Sequence, residues 1–198
     1  MTTKAISFGR DIPDDAELRL CGDIAGGKRA LELGIGRSQN AIAFALAGAK
    51  AIAVDPDEGK IESIRAAATE AEVTVACHVT DLADLGFATS GSIELVVADH
   101  TIDDSVDDFG RLLRQVHRVL KSSRPFVISV PHPFAGVHST DELGSKVLPY
   151  GTVGRTIGDW HIQLNRANFR VDRILELGVS NISPVPTTLV IRAQKEGD

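Results

Sequence analysis

Two glycines, and a carboxylate about twenty positions after them, are the residues whose types and spacing have the clearest chemical meaning. Gly34 and Gly36 come directly after one apolar segment, and Asp55 ends the next one. Glycines leave a turn free of side chains, so a ligand can lie on the backbone and meet the N–H groups of the following helix. A carboxylate placed like Asp55 can accept hydrogen bonds from both hydroxyl groups of an adenosine ribose. The pattern indicates a nucleotide site, and it fits NAD as well as S-adenosylmethionine.

The residues around the glycine turn favour the second of these nucleotides. NAD-binding proteins carry a third glycine three positions after the second, which lets helix and strand pack closely against a pyrophosphate. Gln39 holds that position here. Glu32, directly before the turn, would be unfavourable beside a pyrophosphate but suits a ligand with an amino group and a sulfonium. Asp81, after the third predicted strand, can accept a hydrogen bond from an adenine amino group. An NAD-dependent oxidoreductase is therefore the less favoured alternative.

The segments around these residues predict an alternation of strands and helices. The predicted strands span residues 29–33, 51–55, 73–79, 93–98 and 125–130, and the predicted helices span 38–47, 58–69, 107–121 and 157–167. Two further strands, 169–177 and 187–193, have no helix between them. Their linker of about ten residues is too short for a helical crossover, which predicts an antiparallel pair. The alternation favours an α/β fold built on a mainly parallel sheet.

Two segments fall outside this alternation. Within the N-terminal segment, residues 1–28, a short helix is predicted between Asp11 and Gly22. Residues 131–155 contain several prolines and glycines and show little periodicity. A connection of this length in a compact domain usually covers an active site or is disordered. We expect residues 131–155, with the N-terminal helix as a lid, to cover the substrate pocket of a single domain that spans residues 1–198.

Composition and charge narrow the class of protein. The net charge of −6 and the scattered Lys and Arg residues argue against a nucleic-acid-binding protein, which carries a basic face. Residues 1–15 lack the apolar core of a signal peptide, and the most apolar region, 41–54, is too short to span a bilayer. Cys21 and Cys77 indicate reduced, buried thiols. These observations predict a cytoplasmic protein that acts on a small molecule and has no nucleic-acid or membrane partner. They do not determine its oligomeric state.

Several sequence motifs resemble those of one enzyme family. They are Leu31-Glu-Leu-Gly-Ile-Gly-Arg-Ser, Ala53-Val-Asp-Pro, Val79-Thr-Asp-Leu, Ile93-Glu-Leu-Val-Val-Ala-Asp, and Arg114-Gln-Val-His-Arg-Val-Leu-Lys with the strand that follows it. In this order they resemble the class I S-adenosylmethionine-dependent methyltransferases. The resemblance is strongest to small members of the methyltransferase type 11 group, which are similar to the ubiquinone and menaquinone biosynthesis methyltransferases. It covers nearly the whole chain and implies a Rossmann-like, seven-stranded, mostly parallel sheet with an antiparallel last strand and helices on both faces.

The resemblance also implies which residues hold the cofactor S-adenosylmethionine. The first motif would line its methionine portion, the second would hold the ribose, the third would flank the adenine, and the end of the fourth would face the methionine and the sulfonium. In chain order these residues are Glu32, Gly34 and Gly36, then Asp55 with Pro56, then Asp81 and Leu82, and then Asp99 and His100. The implied function is methyl transfer to a small-molecule acceptor, whose attacking atom (O, N or C) stays open.

The chain departs from the family's pattern at three places. Ser38 stands where the first motif usually ends in glycine, and a serine tolerates the turn and can cap the helix. Lys121-Ser-Ser-Arg-Pro replaces a usual Lys-Pro-Gly-Gly. The segment 102–108 is acidic where the family carries an aromatic residue or a Leu-His pair. We interpret residues 103–108 as a solvated helix start and predict no metal site. This segment keeps a further alternative open, a protein that binds the cofactor without transferring its methyl group.

Two histidines are candidates for a catalytic role. His132 lies at the carboxyl end of the fifth predicted strand, and His138 lies in the loop beyond it. Ligands in open α/β sheets bind outside the carboxyl ends of the strands. An imidazole there could act as a general base on a hydroxyl or amine of the acceptor. Both residues could equally be loop histidines without a role.

Overall fold

The computed structural model describes residues 5–102, 108–141, 144–152, 154–180 and 184–197. Its strands are β1 (Arg29–Leu33), β2 (Lys50–Asp55), β3 (Val75–Val79), β4 (Leu95–Asp99), β5 (Pro125–Pro131), β6 (His138–Asp141), β7 (Gly144–Val147), β8 (Phe169–Leu177) and β9 (Thr188–Lys195). Seven of them form one sheet in the order β3-β2-β1-β4-β5-β9-β8, while β6 and β7 form a separate pair. The strand β4, which has parallel neighbours on both sides, is buried at all five residues, as expected for a sheet covered on both faces.

The order of the strands places a binding crevice beside β1. This strand pairs in parallel with β2 on one side and with β4 on the other. The chain therefore adds β2 and β3 on one side of β1 and then crosses back to add β4 on the other side. In open α/β sheets, ligands bind at such a reversal, outside the carboxyl ends of the strands. The glycine turn follows β1 and the pair Asp99–His100 ends β4, so both lie at this crevice.

The strand β9 runs against its neighbours. It pairs antiparallel with β5 on one side and with β8 on the other, while all the other pairs in the main sheet are parallel. The predicted fold class, a mostly parallel seven-stranded sheet with an antiparallel last strand, is therefore confirmed. The short link between the last two strands is what requires their opposite directions.

Helices cover both faces of the sheet, as predicted. The helices are α1 (Asp15–Leu18), α2 (Asn40–Leu46), α3 (Glu58–Glu70), α4 (Phe109–Val119) and α5 (Ile157–Arg166). The apolar side chains of α4 and α5 share one core cluster with the sheet. Those of α2, α3 and the N-terminal segment pack on the opposite face. The helix α4 begins later than predicted because Asp108 caps it by accepting the N–H of Arg111 at 2.7 Å. Residues 103–107 of the acidic segment lie outside the described residues.

The predicted N-terminal helix is reduced to the single turn α1. The prediction of a helix from Asp11 to Gly22 is wrong because Asp15 ends the turn with its own carboxylate. One oxygen of that carboxylate accepts the N–H of Leu20 at 2.6 Å and of Cys21 at 3.1 Å, while Arg19 adopts a left-handed conformation with φ 53. Burial raises the pKa of the Cys21 thiol well above its ordinary value, and the nearby charge of Asp15 acts in the same direction. Cys21 is buried as predicted, whereas Cys77 is only half-buried.

The long segment 131–155 also contains regular structure that the prediction missed. A 3₁₀ turn at Ala135–Val137 leads into the hairpin of β6 and β7, which pair antiparallel from Asp141 and Gly144 outward. A two-stranded hairpin of four residues per strand carries too little apolar periodicity to be recognised in a sequence. The part of the chain that the structure describes has no helix long and apolar enough to cross a membrane.

Asn40, the first residue of α2, fixes the N-terminal segment to the main sheet. Its side-chain oxygen accepts the backbone N–H of Ser7 at 2.9 Å, and its amide nitrogen donates to the carbonyl of Ser7 at 2.9 Å. Ser7 therefore uses its backbone N–H and carbonyl as it would in pairing with a neighbouring strand. Phe8 is fully buried on the same face, and the next residues, from Gly9 to Asp11, reach the carboxyl end of β4.

We expect the substitution Asn40→Ala to release this segment. Both polar groups of Ser7 would lose their partners, which should lower the free energy of unfolding by about 2 kcal/mol. Denaturant unfolding measures this change, and hydrogen exchange of the Ser7 and Gly9 amides should become faster. Asn165→Ala, at an exposed position of α5, is the control and should leave both quantities nearly unchanged. Equal effects of the two substitutions would show that Asn40 does not hold the segment.

Candidate active site

A cavity of about 890 Å³ opens at the carboxyl ends of β1 and β4, and we name it the main cavity. Its volume lies within the usual range of small-molecule sites. It is bordered by the N-terminal segment, the glycine turn, the start of α3, the end of β4 and the start of β9. The lining residues are Gly9, Arg10, Asp11, Ile35, Gly36, Arg37, Ser38, Lys60, Asp99, His100, Thr101, Thr187 and Thr188.

The two glycines are required by the way the turn packs against the end of β4. Gly34 has φ +75, and a Cβ atom there would lie 2.5 Å from the Cβ of Thr101. A Cβ atom on Gly36 would lie 2.5 Å from the backbone oxygen of Asp99. Any larger residue would push the turn away from the strand, so the glycines are needed for this contact before any ligand is considered. Gly36 lines the main cavity and leaves its backbone bare there.

Glu32 lies beneath the glycine turn, fully buried. Its two carboxylate oxygens accept the backbone N–H groups of Asn40 and Ala41, each at 2.8 Å, at the start of α2. Glu32 therefore caps α2, a role that the sequence suggested for Ser38. The residue at the N-cap position is Gln39, and its side chain makes no capping hydrogen bond. Glu32 and Gly34 are not among the described residues that line the main cavity.

Asp55 holds the glycine turn from the neighbouring strand. One oxygen of its buried carboxylate accepts the N–H of Ile35 at 2.7 Å, and the other accepts the N–H of Asp57 at 2.9 Å. Lys60 forms an ion pair with the same carboxylate, its Nζ lying 3.2 Å from Oδ2. Lys60 itself is about half exposed and lines the main cavity.

The third motif lies farther along the sheet. Asp81 is exposed just beyond the end of β3, where its side chain accepts the N–H of Ala83 at 2.7 Å. Leu82 is half-buried against the core, and Pro56 is exposed beside Asp55. The register of β2 and β3, in which Asp55 faces Val79, brings Asp81 to the same edge as the second motif. None of these three residues is among the described residues that line the main cavity.

The end of β4 brings two predicted residues into the main cavity. Asp99 is almost fully buried, and its carboxylate accepts the hydroxyl of Ser129 at 3.1 Å. His100 follows with an exposed side chain and a left-handed backbone, φ 53, which is uncommon outside glycine. Its N–H donates to the carbonyl of Ser129 at 2.9 Å, which stabilises this conformation. Strained positions of this kind cluster at ligand sites.

Several residues of the main cavity were not recognised in the sequence. Lys60 carried a usable signal, because it lies five positions after Asp55 in the first turns of the next helix. Arg10 and Thr187 carried none. They come together only because the N-terminal segment is held by Asn40 and because β9 inserts beside β5, and both contacts join residues far apart in the chain.

His132 does not face the main cavity. It lines a second cavity of about 520 Å³, which we name the side cavity, together with Phe134, Tyr150, Ile157, Glu176 and Pro186. Its Nδ1 accepts the N–H of Phe134 at 3.1 Å, and its Nε2 lies 2.8 Å from an oxygen of Glu176. The backbone N–H of His132 donates to the carbonyl of Thr187 at 2.8 Å, and Thr187 lines the main cavity, so the two cavities adjoin at this bond. His138 begins β6, where its backbone pairs with Val147.

No group of three or more His, Cys, Asp or Glu side chains that could hold a metal ion occurs among residues 5–102, 108–141, 144–152, 154–180 and 184–197. The polar groups of the main cavity instead suit an organic ligand. The bare backbone at Gly36, the ammonium of Lys60 and the carboxylate of Asp99 offer polar groups and charge within one site, while Asp55, the partner of Lys60, is not among the described lining residues.

Comparison with known proteins shows similarity to methyltransferases in both sequence and fold. Residues 31–128 match the family model described as a methyltransferase domain. The fold is similar to a putative S-adenosylmethionine-dependent methyltransferase from Listeria monocytogenes, with 21% identity, a TM-score of 0.71, and coverage of 91% of this chain and 95% of that one. An S-adenosylmethionine-dependent methyltransferase from Mesorhizobium loti has the same identity and TM-score and is covered to 96%, with 91% of this chain aligned.

A third similar structure contains a ligand-bound site. It is the 1,6-didemethyltoxoflavin-N1-methyltransferase from Burkholderia thailandensis, solved with 1,6-didemethyltoxoflavin and S-adenosylhomocysteine. The identity is 18% and the TM-score 0.63, with 92% of this chain and 75% of that chain covered. No curated protein matches the sequence.

The residues of the main cavity fit S-adenosylmethionine. The bare backbone at Gly36 leaves room for a ligand against the turn, and Asp99 supplies a carboxylate that suits a positively charged sulfonium. Asp55 is not among the described lining residues, and its two oxygens accept the N–H groups of Ile35 and Asp57, but it forms an ion pair with the lining residue Lys60. The chain therefore has a fold similar to that of S-adenosylmethionine-dependent methyltransferases, and its residues 31–128 match a methyltransferase domain.

Proposed function

We propose that the protein transfers the methyl group of S-adenosylmethionine to a small-molecule acceptor. The observation that carries this proposal is the main cavity, where the glycine turn and the end of β4 meet at the reversal of the strand order. The Burkholderia enzyme, with a small molecule and S-adenosylhomocysteine bound, supports an acceptor of this kind. The net charge of −6 supports a small acceptor over a nucleic acid. A cytoplasmic location stays part of the proposal.

The proposed cofactor contacts follow the order of the motifs. Asp55, with Pro56 beside it, binds the ribose, and Asp81 and Leu82 flank the adenine. Gly36 contacts the methionine portion through its backbone, and Asp99 and His100 face the methionine and the sulfonium. We assign Glu32 and Gly34 a supporting part in the same contact, because Glu32 fixes the start of α2 and Gly34 lets the turn lie against Thr101.

The chain's own contribution to the reaction is placement. Bound S-adenosylmethionine supplies a methyl group that its sulfonium has already activated. The residues around the main cavity then have to align the acceptor with that group and exclude water, which can supply most of the rate increase. The segment from Gly9 to Asp11, together with Thr187 and Thr188, also lines the cavity and suits this task.

Segment 131–155 is proposed to cover the acceptor. Its described residues His132, Phe134 and Tyr150 line the side cavity, which adjoins the main cavity. We propose His132 as the base for an acceptor that must lose a proton, with Nδ1 as the accepting atom. That role requires the N–H of Phe134 to give up its bond to Nδ1, and the carboxylate of Glu176 would stabilise the resulting imidazolium. His138 stays a candidate base by its position in the sequence.

The alternative of a cofactor-binding protein without transfer activity makes a different prediction. Such a protein would bind S-adenosylhomocysteine but form no product with any acceptor. The departure of segment 102–108 from the family's pattern is the observation that favours it. Incubation with radiolabelled S-adenosylmethionine and a panel of small hydroxyl, amine and carbon acceptors separates the two functions.

The proposed ribose contact is tested by Asp55→Asn. The amide keeps the size of the side chain but has one acceptor oxygen, so it can accept from Ile35 and loses the bond from Asp57. It also removes the charge that the ribose hydroxyls and Lys60 share. We expect the affinity for S-adenosylhomocysteine, measured by calorimetry, to fall about tenfold or more, because hydrogen bonds to a charged group contribute about 1.5–3 kcal/mol each.

The matched control for Asp55→Asn is Asp57→Asn. Asp57 is exposed and caps α3 by accepting the N–H of Gly59 at 2.8 Å, and asparagine caps equally well. The control should bind S-adenosylhomocysteine like the unmodified protein. Wild-type affinity in Asp55→Asn would remove Asp55 from the proposed site.

The proposed base is tested by His132→Gln. We expect turnover with an acceptor found in the panel to fall about a hundredfold, as is typical for loss of a general base. The affinity for S-adenosylhomocysteine should stay unchanged. His117→Gln, on α4 with its Nε2 2.9 Å from the carbonyl of Glu196, is the control. A His132→Gln enzyme with an unaltered rate would show that His132 is not the base.

A further inference from the structure

Among the described residues that line it, the side cavity combines apolar walls with one carboxylate. Phe134, Tyr150, Ile157 and Pro186 form the walls, and the rings of Phe134 and Tyr150 are 40% and 48% exposed. Aromatic side chains with this much open surface are uncommon away from binding sites when they line one concavity together. The walls therefore suit a ligand with an apolar or aromatic body.

The carboxylate belongs to Glu176, near the end of β8. His132 holds it in place from inside the protein: the imidazole is 3% exposed, whereas the Glu176 side chain is 52% exposed. Because Nδ1 of His132 accepts the N–H of Phe134, the neutral ring carries its proton on Nε2 and donates it to Glu176. A neutral donor leaves the negative charge of Glu176 uncompensated, and half of that side chain stays open to the cavity and solvent.

We propose that the side cavity binds the acceptor through a protonated amine, which pairs with Glu176 while the body of the molecule packs against the apolar walls. This assignment of substrate class rests on the proposed methyl transfer. An ammonium group complements the negative charge of Glu176, and the faces of Phe134 and Tyr150 attract a cation further. An anionic ligand would meet the charge of Glu176 without a cationic side chain among the described lining residues.

The amine that pairs with Glu176 anchors the acceptor and is not the methylated atom. A protonated amine has no lone pair and cannot attack a methyl group. The attacking atom therefore lies elsewhere on the same molecule, on the part that extends past Pro186 and Thr187 toward the main cavity. An acceptor bound in this way reacts without His132 as its base, because His132 does not face the main cavity. The bond between the N–H of His132 and the carbonyl of Thr187 marks the rim that the molecule would cross.

The test compares two probes that differ only in charge. 2-Phenylethylamine is protonated near neutral pH, like a lysine side chain, and 2-phenylethanol has the same body without the charge. Calorimetry with protein saturated with S-adenosylhomocysteine should show the amine binding about tenfold more tightly than the alcohol. In Glu176→Gln, whose amide can still accept from His132, the amine should fall to the affinity of the alcohol.

Two further variants make the result specific. Glu196→Gln removes an equally exposed glutamate that pairs with Arg170 outside the cavity, and it should leave the affinities for both probes unchanged. Phe134→Ala removes part of the apolar wall and should weaken the amine and the alcohol by the same factor.

The outcomes separate this proposal from the proposed function. Binding of S-adenosylhomocysteine without any binding of the amine overturns the side-cavity site and leaves methyl transfer standing. Equal affinities of the two probes for the unmodified protein, or an unchanged preference in Glu176→Gln, overturn the role of the carboxylate. Failure to bind S-adenosylhomocysteine at all counts against the proposed function itself.

Discussion

The carboxylate of Glu32 is the interaction on which the rest of the site depends. It is fully buried and accepts the first two N–H groups of α2, so a negative charge lies at the positive end of the helix dipole. A buried charge without partners would be strongly destabilising, and here backbone amides provide them. The bond fixes where α2 begins, and with it the path of the glycine turn above and the position of Asn40, which in turn holds the N-terminal segment.

A second carboxylate holds the same turn from the next strand. Asp55 accepts the N–H of Ile35, and it is fixed in turn by Lys60. The turn is thus bound by acids on β1 and β2, two strands that pair residue by residue. Both acids drew attention in the sequence as ligand contacts. In the structure, each first shapes the backbone that a ligand would meet, so the glycine turn is preorganised by bonds that lie behind it.

The parts of the fold that follow from local pattern were predictable. The strands β1, β5 and β8 start at the predicted residues. For β5 the reason is that a strand with nearly all of its side chains buried reads as an apolar run. The N-terminal helix was not predictable in extent, because a side chain, Asp15, competes for the amides that would continue it. The hairpin of β6 and β7 was missed because it is short and polar.

The residues of the site were also predictable only where local pattern or strand topology places them. Asp99 and His100 could be placed in the main cavity from their position at a strand end, since topology alone brings strand ends together. The side cavity could not be placed, because it depends on the contact of His132 with Glu176, 44 positions apart. No local signal records that pairing. Lys60 lies between these cases, close in sequence to Asp55 but recognisable only once the direction of α3 is known.

The insertion of β9 between β5 and β8 has a consequence for the order in which the protein can be assembled during synthesis. The ribosome produces β5 and β8 before β9, and in the finished sheet each of them pairs with β9. Until β9 emerges, β5 has an open edge and β8 has no neighbour in the main sheet. Open edges of this kind pair readily with other chains. The nascent chain therefore passes through a stage in which β5 and β8 are present without their partner β9, and chaperone protection is most valuable at that stage.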